Sequence, residues 1–151
     1  MLTKIKQLFD SLNAENLDGE ISDAKIQHAA AVLLVEAMMA DHHITESEVK
    51  QLVSSLQDLF PISEEQSQTL LQQANEKHND LVSLQEMTSI INTTQDQSLK
   101  KNIVFAMWCI ALADENKDKY EEHLIRKVAE LLYMSHADFI QARLRAENRY
   151  T

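Results

Sequence analysis

Two carboxylate pairs stand at matching places in this chain. Asp41 closes the apolar run that begins at Ala29, and Glu48 follows it by seven residues; Asp114 closes the run that begins at Ile103, and Glu121 follows it by seven. A shift of 73 residues carries Asp41 onto Asp114 and Glu48 onto Glu121. A helix C-terminus bears about half a negative charge, so an aspartate there is disfavoured by roughly 0.3–1 kcal/mol. The same unfavourable placement, twice in one repeat, points to a compensating cation. If the two halves pack with pseudo-symmetry, Asp41, Glu48, Asp114 and Glu121 can converge. Their oxygens suit a hard divalent cation, Ca²⁺, Mg²⁺ or Mn²⁺. Asp118 and Glu122 stand near enough in sequence to assist.

The same acids also have a purely structural use. Glu48 and Glu121 fall in the first turn of a helix, where a carboxylate is favoured by the dipole and by reciprocal capping. Asp114 or Asp118 can cap the helix that follows, and Asp41 can accept from loop amides. Other chemistries fit less well. Asp114, Asn116 and Asp118 occupy positions one, three and five of a calcium loop, but Lys119 stands where the turn glycine belongs and Ile125 where the bidentate glutamate belongs, which excludes an EF-hand. His42 and His43 are adjacent in a loop, and His123 has no helical partner at ligand spacing, so zinc is not expected. Cys109 lies in an apolar run without a neighbouring base and reads as an inert core thiol. There is no nucleophile elbow, glycine-rich phosphate loop or Cys-x-x-Cys, so no enzyme is expected.

The elements that must position these acids are helices. The chain has 151 residues with one Gly and one Pro, too few to punctuate a sheet protein. Apolar residues make up 44%, enough for a packed core rather than a disordered chain. Leu2, Ile5, Leu8, Phe9 and Leu12 form one face of an N-terminal amphipathic helix, and a linker around Gly19 completes a segment over residues 1–22. The body, residues 23–148, then reads as one all-α bundle of seven to eight helices. A central helix from Ser22 to about Ala40 precedes one opened by a Thr45–Glu48 capping box and stopped by Pro61. Ser63 with Gln66, Ser83 with Glu86 and Ser135 with Asp138 open three more, and a second central helix covers about Ser98 to Ala113. A further helix follows over about Lys119 to Tyr133. The repeat is a pair of hairpins, each a buried helix, an acidic loop and an amphipathic helix, with the intervening helices as links.

A net charge of −10 argues against nucleic acid and against an anionic membrane surface. The apolar runs are too short to span a bilayer, and the first ten residues lack the continuous apolar stretch of a signal peptide, so a cytoplasmic protein with protein partners is expected.

The stretch Ala30 to Phe60, with Ala40-Asp41 and then Ile44-Thr45-Glu46-Ser47-Glu48, resembles the first half of a TerB-like domain. Ile110-Ala111-Leu112-Ala113-Asp114, with Glu121-Glu122-His123-Leu124-Ile125-Arg126-Lys127, resembles the second half. The family includes tellurite-resistance TerB proteins and the N-terminal domain of DjlA-type co-chaperones. The resemblance implies an all-helical internal repeat, metal positions at Asp41, Glu48, Asp114 and Glu121, and a stress-response role without enzymatic activity. The chain departs from the usual Ala-Asp-Gly, with His42 and Glu115 in the place of glycine. It shows no J-domain, so the co-chaperone role does not carry over.

Overall fold

The computed structural model describes residues 22–39, 45–78, 83–113 and 119–149, and every regular element among these described residues is an α-helix. We number the helices α1 (Asp23–Met39), α2 (Glu46–Leu59), α3 (Glu64–His78), α4 (Leu84–Asn92), α5 (Gln97–Ala113), α6 (Lys119–Leu131) and α7 (His136–Arg149). The expected N-terminal helix and its linker, residues 1–21, lie outside the described residues, as do the loops holding Asp41, His42, His43, Asp114 and Asp118.

The core forms around α1 and α5 because both are apolar on nearly all sides. Ala29 through Val35 and Ala37 are fully buried on α1, as are Ile103, Val104, Met107, Cys109 and Ile110 on α5. Helices apolar all round must be covered on every side. α1 accordingly packs against α2, α3, α4, α5 and α6, and α5 packs against α1, α2, α6 and α7. The outer helices present one stripe each, such as Leu52 and Leu56 on α2 and Ile125, Val128 and Leu132 along and just past α6. No described helix is long and apolar enough to cross a membrane.

The two hairpins are there, α1 with α2 and α5 with α6, and each carries a third helix. α3 packs on α1 as α7 packs on α5. The capping serines Ser63 and Ser135 open α3 and α7 at equivalent places. Only α4 lies outside the three-helix repeat. It packs on α1 and α6, and its last residue, Asn92, donates from Nδ2 to the Leu131 carbonyl at 2.9 Å.

Local chemistry sets the helix starts. Thr45 and Glu48 make the full reciprocal box, as do Ser63 and Gln66, whose two bonds are 3.0 and 2.8 Å. Ser83 and Ser135 accept from the amides of Glu86 and Asp138. α5 begins slightly before the expected Ser98: Asp96 Oδ1 accepts from the Leu99 amide at 3.2 Å and caps it.

The second helices of the two halves end differently. Phe60 turns extended after α2, and the Ile62 amide closes a tight turn across Pro61 onto the Phe60 carbonyl at 2.8 Å. After α6, Tyr133 takes a left-handed conformation with φ of 58°. The Met134 amide reaches the Ala129 carbonyl and the Tyr133 amide reaches Glu130, the bond pattern of a Schellman motif. A glycine normally fills that position, because a side chain there is sterically disfavoured.

Candidate functional site

Glu48 is the one candidate ligand whose side chain the structure describes. It is the third residue of α2 and is fully buried. Its Oε1 accepts from the Thr45 amide at 3.0 Å and from the Thr45 hydroxyl at 3.2 Å, while the Glu48 amide donates to Thr45 Oγ1 at 3.1 Å. The helix N-terminus adds positive potential at the same place. These contacts fix the carboxylate's direction through charge-assisted bonds and helix geometry.

Glu121 is the third residue of α6, the position Glu48 holds in α2. Its side chain, and the whole of Asp41, Asp114 and Asp118, lie outside the described residues. Among the described residues no three His, Cys, Asp or Glu side chains gather closely enough to hold a metal ion. The donor set expected of the four acids is oxygen throughout, which matches hard divalent cations in chemistry.

Glu122, the expected helper, is placed in another network. Its Oε1 lies 3.3 Å from Arg143 Nη1 on α7 and 3.8 Å from Arg126 Nη2 one turn along α6. Both guanidinium groups also lie over aromatic rings: Arg126 is 5.0 Å from the Phe139 centroid and Arg143 is 5.2 Å from Trp108. Trp108 and Phe139 pack against each other at 5.8 Å between centroids. One carboxylate, two cations and two rings thus tie α5, α6 and α7 together at one seam. Sequence reading does not single out the two arginines. The Glu122–Arg126 spacing of one helical turn was the available signal, while Arg143 is distant in sequence.

Cys109 is buried on α5. Burial pushes its thiol above the usual range, and Arg149 and Arg145 pull it partly back. The expected core position is observed, and charged groups from α7 reach the thiol that sequence neighbours did not reveal.

The chain's similarity to known proteins agrees with this architecture. The family model described as "Tellurite resistance protein TerB" matches residues 27–144, from within α1 to within α7. No curated protein and no solved structure matches the chain. A family match over most of the sequence, on an all-helical double repeat with paired glutamates at equivalent helix starts, establishes that the chain belongs to the TerB family.

Proposed function

We propose that this chain is a non-enzymatic, cytoplasmic stress-response module of the tellurite-resistance type that binds a divalent cation through Asp41, Glu48, Asp114 and Glu121. The observation that carries the proposal is the burial of Glu48 at the helical position that Glu121 repeats in the other half. Thr45 and the helix N-terminus hold the Glu48 carboxylate in a fixed place, and a hard cation shared by both halves suits a set of four carboxylates. The module then acts through protein partners whose binding the cation controls.

The test is the thermal melting of EDTA-stripped protein with and without millimolar Ca²⁺, Mg²⁺ or Mn²⁺. A ligand selective for the native state adds about 2.7 kcal/mol at a hundred times its dissociation constant, which raises the midpoint by several degrees. A shift with one ion, lost in the Asp41→Asn/Asp114→Asn variant, supports the cation reading. An unchanged midpoint with all three ions removes it.

A second reading has its own observation. Glu48 Oε1 already takes two donors from Thr45 in a closed capping box. The acids then serve as helix caps, and the module is a metal-free scaffold for protein partners. Under that reading Asp41→Asn/Asp114→Asn leaves partner capture and the melting curve nearly unchanged.

A further inference from the structure

Among the described residues, the internal repeat leaves one place unfilled. α4 lies across α1 of the first half and α6 of the second. Exchange of the halves carries α1 onto α5 and α6 onto α2, so the repeat calls for a helix across α5 and α2. Apart from α1, no described helix packs against both.

A cleft of about 240 Å³ opens at that place. Ser55, Asp58 and Leu59 of α2 and Asn102, Phe105 and Ala106 of α5 line it, together with Arg145 of α7, whose guanidinium lies over the Phe105 ring at 4.2 Å from its centroid. The equivalents of these α5 residues on α1 are Ala29, Val32 and Leu33, all fully buried, whereas Asn102 is exposed and Phe105 half-buried. The α2 lining agrees too. Asn92 of α4 bonds to the carbonyl of Leu131, and Leu59, the counterpart of Leu131, lines the cleft.

We propose that residues 2–12 of the same chain dock in this cleft as a helix, the counterpart of α4. Two features of the sequence favour this occupant. α4 carries apolar residues at Leu84, Met87, Ile90 and Ile91; the N-terminal segment carries them at Leu2, Ile5, Leu8 and Phe9, with identical spacing. α4 directly precedes the central helix α5 and packs across one helix of each half, α1 and α6, and residues 2–12 likewise precede the central helix α1. Charge fits as well, since the segment carries Lys4, Lys6 and Asp10 while the cleft presents Asp58 and Arg145. Residues 13–22 reach about 33 Å when extended, more than the roughly 25 Å length of a 17-residue helix such as α1.

The experiment is paramagnetic relaxation in the full-length chain. A nitroxide at Gln7→Cys, in a Cys109→Ala background, is read out on ¹⁵N-labelled amides. Docking predicts loss of the amide signals around Leu59 and Phe105, restored by Phe105→Asp, with the amides of α3 unaffected. If Cys109→Ala does not fold, the unsubstituted chain answers through nuclear Overhauser contacts between the Ile5 or Leu8 methyl groups and the Phe105 ring, whose presence supports docking and whose absence overturns it. Broadening elsewhere, or none, overturns the proposal. Broadening at the cleft only between a spin-labelled molecule and an isotope-labelled one also overturns it, because a second copy is then the occupant. Protection of residues 2–12 only on addition of phosphatidylglycerol vesicles assigns the amphipathic face to a membrane and overturns it as well.

Discussion

The first and second halves share a backbone plan but fill it by different means. In α1–α3 the central helix is sealed by aliphatic neighbours, and its residues from Ala29 to Val35 have no exposure. In α5–α7 the central helix carries Phe105 and Trp108, and three arginines lie over aromatic rings: Arg145 on Phe105 at 4.2 Å, Arg143 on Trp108 and Arg126 on Phe139. A repeat therefore fixes helix lengths and order. It does not fix the interaction type at each contact, because several chemistries of similar net strength can fill the same space.

Truncation of the two central helices at one equivalent pair should produce the largest effects. Leu34→Ala and Met107→Ala each delete a fully buried side chain, and each should lower unfolding free energy by about 2–5 kcal/mol. Urea melts of both variants check this, and a loss below 1 kcal/mol at either site would break the equivalence of the two cores. Loss of the Thr45 cap comes next. Thr45→Ala removes the acceptor for the Glu48 amide and the hydroxyl donor to its carboxylate, while the backbone donor stays; this should cost about 0.5–2 kcal/mol.

The sharpest contrast uses one substitution at two equivalent positions. Tyr133→Gly relieves a left-handed residue and should stabilise by up to about 1 kcal/mol. Pro61→Gly loosens the unfolded chain and should destabilise by about 0.4–1 kcal/mol. Opposite signs in paired melting curves are the expected result; equal signs would mean the two turns are interchangeable. Smaller still is Arg143→Met, expected to cost about 0.5–1 kcal/mol through loss of its contact with Trp108 and Glu122. Part of that loss should fade in high salt.

Titration separates the halves in another way. The Cys109 thiol is held above its ordinary value of 9.0, first by burial. A raised folded-state value means its contribution is fully present below pH 9 and is lost as pH climbs from 9.0 toward the folded value. Stability of the native chain should therefore fall more steeply above pH 9 than that of Cys109→Ala. Thiol reagent should label Cys109 only at the rate of opening.

Much of this was legible in the chain because it depends on neighbours within one turn. Thr45 with Glu48, Ser63 with Gln66 and the stop at Pro61 are local devices, and they mark their helices correctly. The third helix of each repeat was harder to see. α3 is Gln-rich and polar while α7 carries Phe139 and three arginines, so their common packing on α1 and α5 leaves little trace in residue identity. The Tyr133 cap was hidden because the residue that normally signals it, glycine, is missing. Of the candidate site, the capping role of Glu48 could be read from spacing. The ties from Glu122 to Arg143 and from Arg143 to Trp108 join residues far apart in sequence, and pattern reading does not reach them.

The position of Trp108 has a practical side. It is the only tryptophan in the chain, and all three tyrosines, Tyr120, Tyr133 and Tyr150, also belong to the second half of the sequence. Indole emission therefore reports on the seam of α5, α6 and α7 alone, with a guanidinium over the ring to shift it when the seam opens. Far-ultraviolet dichroism reports on all seven described helices. The molecule thus carries a built-in optical label on one of its two halves, and the gap between the two signals during denaturation measures how tightly the halves unfold as one.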